Sequence, residues 1–376
     1  MKHLLIGMLC LFVVCNRLTA HSLATDLTPV DRLAENTPAY ACESIEALVA
    51  YGKNNTKSDL ETVRFYFVWL AQNVHYDTLE RDAPKPQTSK QEPDTVFYNR
   101  KGICRGYADL LNLLCEKAGI PVRTVTGYCK SIDGEPDSVK FHAWNVIKVD
   151  NQWHLFDATW ASNYFEKNNV LDEHFNNYFQ QDASTFIKRH YPFDPIFQLS
   201  KNVLLRGAFF FNDTVNEEGI CEKQEAYDFV KILEAETPLS WLEQNIKSYE
   251  RAVAFIPEER RLYDVLSYFQ SEKAHLFFNQ GSTLLDKFRD IQPEMVVKWS
   301  YKDVKNNIAE ATEAQNLFKK ALKLYETMLF IEENSDAKLK QSNLLIIHKN
   351  VEATGKLIDY LNSIEMQLRK IGIAQR

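Results

Sequence analysis

The chain has 376 residues, 45% hydrophobic and 25% charged. That length exceeds one ordinary domain, so two folded units are expected. The net charge of -7 excludes a basic nucleic-acid surface, and nothing in the composition suggests low complexity or extended disorder.

Taken in order, the chain opens on a targeting pattern. Lys2 and His3 precede the apolar run Leu4 to Val14, and small residues follow at Ala20 and Ala24. The run is too short to span a bilayer comfortably, so residues 1–24 read as a signal peptide. The mature chain is then expected to be exported, to the periplasm, cell surface or medium, with no transmembrane span. An uncleaved anchor is the alternative. Cys15 is a poor lipidation site, because the bulky Phe12-Val13-Val14 precedes it.

Residues 25–41 read as an irregular lead-in, and Cys42 to Tyr51 as a short helix. Ser58 and Asp59 can cap a helix from Leu60 to Val74, whose apolar stripe is Leu60, Val63, Phe67, Leu70 and Val74. A polar, proline-containing loop is expected from Thr78 to Pro93, then a turn or two of helix from Asp94 to Arg100.

Next comes Gly102-Ile103-Cys104-Arg105-Gly106-Tyr107-Ala108. Cys104, Ala108, Leu111, Cys115 and Ala118 recur at helical spacing, and Gly119 and Pro121 close the helix. A thiol at a helix start sits among unpaired N–H groups, where the macrodipole favours the thiolate. The competing reading for a lone cysteine is a buried structural residue.

Val122 to Tyr128 alternates as a strand, and Asp133-Gly134 suits a turn. Phe141 to Val149 and Gln152 to Asp157 read as a hairpin turning at Asp150-Asn151. In that register Trp144 faces Asp157 and His142 faces Thr159. His142 and Asp157 become diagonal neighbours on one face, with His154 on the other. Large apolar side chains on both faces predict a sheet covered on both sides. An irregular stretch is expected beyond Thr159-Trp160, with His174 and His190 read as structural or exposed. From about residue 218 helical periods dominate: Tyr227 to Leu233, Trp241 to Phe255, Arg261 to Phe288, Val304 to Phe330 and Leu344 to Ile371. No sustained repeat period emerges, so a bundle or short solenoid is expected over 218–376.

Five cysteines follow the targeting segment. If Cys104 is the unpaired one, Cys42, Cys115, Cys129 and Cys221 allow two disulfides in any of three pairings. Their spacing matches no zinc motif, and no cofactor site is evident. Cys104, His142 and Asp157 form a chemical set: a thiol nucleophile, an imidazole acid–base, and a carboxylate that fixes the imidazole. The Cys104 backbone N–H is the natural first oxyanion donor, with Gln91 and Tyr98 as candidates for the second.

The runs Gly102 to Ala108, Ala118-Gly119-Ile120-Pro121, Gly127-Tyr128, His142-Ala143-Trp144-Asn145 and Trp153 to Trp160 resemble the transglutaminase-like superfamily. Trp69 to Asp77, Phe179 and His190 to Leu199 are similar to its kyphoscoliosis-peptidase (hillarin-like) branch. The resemblance covers residues 42–200. It implies an α+β, papain-like/transglutaminase-like core with a central antiparallel sheet and a Cys104–His142–Asp157 triad, ahead of an all-α C-terminal domain. Ala161-Ser162-Asn163 and Phe197 depart from the family pattern without touching the triad. A cysteine peptidase or amidase acting on a polypeptide substrate is implied, with hydrolysis favoured over acyl transfer. The competing class is a silent binding or scaffold protein of the cell envelope, with the helical domain capturing a protein partner.

Overall fold

The computed structural model describes residues 26–79, 92–130, 139–211, 228–289, 291, 293–296, 298–328 and 335–374. The expected signal peptide, Gln91, the Asp133-Gly134 turn and Cys221 lie outside the described residues.

The lead-in is more ordered than its composition suggests. Helix α1 (Thr28–Glu35) carries a proline in its first turn, where no intrahelical donor is lost. A 3-10 turn (Ala39–Cys42) follows, and then α2 (Ile45–Asn55), capped by Ser44. In α3 (Asp59–Asn73) the Ser58 hydroxyl accepts the Glu61 N–H, as a capping serine should. This helix is buried on all sides from Thr62 to Ala71. Even its Arg64 is 1% exposed, and Nε and Nη2 fork onto Asp31 at 2.6 and 2.9 Å.

Strand β1 (His75–Tyr76) pairs in parallel with β2 (Lys101–Gly102), across the short helix α4 (Pro93–Asn99). That pairing delivers the chain directly into α5 (Cys104–Ala118). The expected stop is present: Gly119 takes φ 81°, a left-handed conformation that glycine adopts without strain.

The main sheet is antiparallel, with β3 (Val122–Lys130), β4 (Val139–Val149), β5 (Gln152–Phe156) and β6 (His190–Pro192) in the order β5-β4-β3-β6. Asp150 and Asn151 both have positive φ, 50° and 61°, as a type I′ hairpin requires. The register is the expected one from Val149↔Gln152 to Asn145↔Phe156. There it ends. Asp157 turns out of the strand to cap helix α6 (Ala158–Asn168), so the expected Trp144–Asp157 and His142–Thr159 pairs do not form. The sheet is covered on both faces. Ile147, Val149 and Phe156 pack with α3 and α5, while Val125, Trp144, Val146, Trp153 and Leu155 pack with Phe186, Ile196 and Phe197.

The stretch after Trp160, expected to be irregular, holds α6, single helical turns at Glu173–Asn176 and Ala183–Phe186, strand β6, and a 3-10 turn (Pro195–Gln198). Asp157, Asp172 and Asp182 each accept first-turn N–H groups, which is what lets such short helices form.

The remaining described elements are helices: α7 (Arg206–Phe211), α8 (Phe229–Glu236), α9 (Trp241–Phe255), α10 (Arg260–Arg289), a turn at Pro293–Val296, α11 (Tyr301–Thr327) and α12 (Ser335–Ala374). Ile246, Tyr249, Leu262 and Phe269 share a core with Tyr128, Tyr191 and Phe193 of the α+β half. Farther out, Ala274, Ala314, Phe318, Ala321, Tyr325 and Ile347 pack α10, α11 and α12 together. Among the described residues no helix is long and apolar enough to cross a membrane.

Candidate active site

Cys104 is the first residue of α5, following an extended Ile103 at the N-cap. Its N–H is therefore one of the helix donors without an intrahelical acceptor. Two side chains, one buried and one half-buried, fix α5 against the sheet. Asn145 Nδ2 donates to the Ala108 carbonyl at 2.9 Å, and Thr124 Oγ1 donates to Asp109 Oδ1 at 3.1 Å. Asp109 also accepts Arg105 Nε at 2.7 Å, next to the thiol. Tyr107 donates to the Val74 carbonyl and meets Ser162 Oγ at 3.0 Å, tying α5 to α3 and α6.

Cross-strand parity puts His142 on the sheet face that carries Trp144 and Val146, away from the face that packs α5. Because β5 stops opposite Asn145, the β5-side edge of β4 has no strand neighbour from residue 139 to 144 among the described residues. At this open edge Asp157 and Cys104 reach His142. His142 Nε2 meets Asp157 Oδ2 at 2.8 Å. Asp157 Oδ1 accepts the Trp160 N–H at 3.0 Å, so one carboxylate both caps α6 and holds the imidazole. The Cys104 side chain also favours the His142 cation. With Nε2 taken by Asp157, Nδ1 is the nitrogen left for the thiol.

Burial is the largest influence on His142 and opposes its cation. The Asp157 charge and the hydrogen bonds to Asp157 and Cys104 outweigh it and hold the imidazole well above its usual pKa. Burial likewise opposes the Asp157 anion, yet His142 and His190 keep that carboxyl well below the ordinary range. The geometry therefore suits an imidazolium beside a carboxylate.

One member of the site was not read from the sequence. His190, expected to be structural or exposed, is 3% exposed, and its Nε2 donates to Asp157 Oδ2 at 3.0 Å. It arrives on β6, a three-residue strand 33 positions from Asp157, with no hairpin to announce the pairing. His174, by contrast, is exposed and lies beside Asp172. His154 faces the other side of the sheet, as its register requires. Tyr98 is exposed on α4, its ring edge-on to Phe97.

His142, Asp157 and His190 bring ligand atoms within 4.8 Å of one another, as a metal site would. An ionised carboxylate only accepts, so both ring nitrogens meet it as N–H donors. A cation would have to displace both protons from a nearly closed pocket. The disulfide expectation is corrected among the described residues: Cys42, Cys104, Cys115 and Cys129 are free thiols. Cys115 is packed as an apolar residue in the core between α3 and α5. Cys129 lies on the His142 face of β3.

Comparison with known proteins agrees with this architecture. Residues 46–158 match the family model described as the transglutaminase-like superfamily. Kyphoscoliosis peptidase of Homo sapiens is 30% identical over 195 residues, covering 50% of this chain and 29% of that protein. The Mus musculus protein is 30% identical over 193 residues with the same coverage. The chain thus spans under a third of the length of the curated relatives it matches. A protein from Cytophaga hutchinsonii, proposed to be a cysteine protease, overlaps in part, with 28% identity, 37% of this chain, 43% of the other, and a TM-score of 0.25.

Proposed function

We propose, from the premise that residues 46–158 are a transglutaminase-like domain of the kyphoscoliosis-peptidase branch, that this chain is an exported thiol enzyme cleaving or transferring peptide or isopeptide bonds. The observation that carries the reading is the His142 ring, held by Asp157 at 2.8 Å on Nε2, with the Cys104 side chain favouring its cation. The N-terminal targeting pattern supports export.

In this mechanism the Cys104 proton passes to His142 Nδ1, giving a thiolate beside an imidazolium. Asp157 stabilises the imidazolium and keeps Nε2 as its donor. Thiolate sulfur attacks the amide carbon, and the oxyanion is met by the Cys104 N–H at the start of α5. His142 then returns the proton to the departing amine, leaving an acyl-thioester. Water, deprotonated by His142, hydrolyses it, or a primary amine takes the acyl group. A polypeptide is the substrate class, and hydrolysis is the favoured outcome.

Iodoacetamide labelling from pH 4 to 8, with the alkylated thiol mapped by mass spectrometry, tests the pair. Cys104 should react at least ~10-fold faster than Cys42, the other half-buried thiol, near pH 5. His142→Ala should abolish the difference. Equal rates in the wild-type protein would sink the enzyme reading. Peptide libraries with and without an added primary amine then separate hydrolase from acyltransferase.

A further inference from the structure

Asp157 is completely buried, and a buried carboxylate needs every lone pair accounted for. Oδ1 is met by the Trp160 N–H. Oδ2 is met twice, by His142 Nε2 at 2.8 Å and by His190 Nε2 at 3.0 Å. The second histidine therefore shares the oxygen through which Asp157 holds the first.

His190 is held in place as firmly as a core side chain. Its ring stacks on Phe186 with centroids 3.8 Å apart, tilts against Trp160 at 4.4 Å, and meets Trp144 edge-on at 5.2 Å. Its backbone is set by β6, where it pairs with Cys129 of β3. That strand can approach because residue 127 is glycine. A Cβ there would lie 2.1 Å from the Tyr191 carbonyl oxygen and 2.6 Å from the Trp144 ring. Three residues of strand add little to a sheet. What β6 does deliver is one ring nitrogen to one carboxylate oxygen.

We propose that His190 is a positioning residue for this site: its Nε2–H anchors Asp157 Oδ2, and the anchored carboxylate orients His142 so that Nδ1 faces Cys104. This rests on the reading of Cys104 and His142 as the reacting pair. The charge state fits the role. Burial, only partly offset by Asp157, pushes His190 down to about 4, so it is neutral near pH 7. A neutral donor satisfies the anion without competing as a second cation for the charge that stabilises the His142 imidazolium. Lysine or arginine at the same place would compete.

The test uses the full chain and the mapped iodoacetamide rate of Cys104 near pH 5. His190→Phe keeps the stacked ring and deletes the donor, and should slow Cys104 by ~10-fold. His190→Gln, whose amide can donate from the Nε2 position, should stay within about threefold of wild type. In an Asp157→Asn background the anchored oxygen is gone, so adding His190→Phe should change the rate by less than about twofold. A purely packing role predicts instead that the His190→Phe effect persists undiminished there, which overturns the proposal. An unchanged rate in His190→Phe overturns it too, while leaving the function standing. If wild-type Cys104 is no faster than Cys42, the function falls and this proposal with it. Should His190→Phe not fold, ring 15N NMR of the wild-type protein decides. Neutral His190 with its proton on Nε2 across pH 6 to 8 supports the role, and a cation or the Nδ1–H form overturns it.

Discussion

The two halves of the chain gather polar groups in different ways. In the α+β half they converge, buried: two imidazoles share one carboxylate oxygen at the open edge of β4. In the outer helical half, half-buried and exposed polar groups gather on one buried hydroxyl. Tyr325 Oη is met by His275 Nε2 at 2.7 Å, Asn343 Nδ2 at 3.1 Å and Ser271 Oγ at 3.3 Å, with no thiol or carboxylate among them. The first arrangement gathers ionisable groups, and the second only satisfies hydrogen bonds. Between the halves lies a third type, an ion network. Arg251 Nη2 reaches Asp194 Oδ2 at 2.8 Å and Nη1 reaches Glu236 Oε1 at 2.5 Å, while Arg123 Nη1 reaches Glu236 Oε2 at 3.1 Å.

Four measurements sharpen or break this contrast. The largest effect belongs to Asp157→Asn. An amide in place of the accepting oxygen leaves His142 with the wrong tautomer, and kcat on a cleaved peptide should fall by about 10⁴-fold. A loss below tenfold would mean the converging groups are not a catalytic unit. Next is Arg251→Ala, which strips Asp194 and Glu236, 2% and 5% exposed, of their shared cation. Breaking a buried pair from one side costs about 3–5 kcal/mol, read by denaturant unfolding. A change below about 1 kcal/mol would show that the halves are held by apolar contacts alone.

Acid comes third. His190 titrates at about 4 in the folded chain against 6.5 for the ordinary group. The unfolded chain therefore binds more protons as pH falls through this window, and folding stability drops by roughly 3 kcal/mol between pH 6.5 and 4. The lowered Asp157 adds a further loss in still stronger acid. The raised His142 works the other way: its contribution is complete below pH 6.5 and fades as pH climbs through its folded value. Thermal melting should thus fall on the acid side, and His190→Phe should flatten that slope. A melting temperature level from pH 6.5 to 4 would contradict the buried neutral histidine. The smallest effect is Tyr325→Phe, worth about 1–2 kcal/mol of stability with Cys104 alkylation unchanged. Altered alkylation would show that the outer helices do communicate with the thiol.

Local signals carried much of this structure in plain view. The Cys104 helix follows from its apolar spacing and its Gly119 stop, and the hairpin register follows from Asp150-Asn151. The α9 helix begins and ends where its periodicity does. What escaped was non-local or very short. Strand β6 has three residues and pairs across 61 positions, Cys129 with His190, so no neighbouring residue predicts it. With it went the fourth member of the pocket. The His142–Asp157 contact was foreseen for a reason only half right. The strand breaks at Asp157 because the aspartate is a better helix cap than a strand residue, and the cap, not the ladder, aims its second oxygen at the imidazole. Helix α1 gives little sequence signal because half of its eight residues are exposed and only Val30 and Ala34 are buried.

The Arg251 network also sets an order in time. Asp194 and Arg123 are made with the α+β half, but their counter-charges at Glu236 and Arg251 come later in the chain. During synthesis at ~5–20 residues per second, the interval between Asp194 and Arg251 is several seconds. Throughout it the nascent pocket must either leave those charges in water or close over them unpaired. The buried charges of Asp194 and Arg123 are therefore fully neutralised only after the helices that follow have been translated.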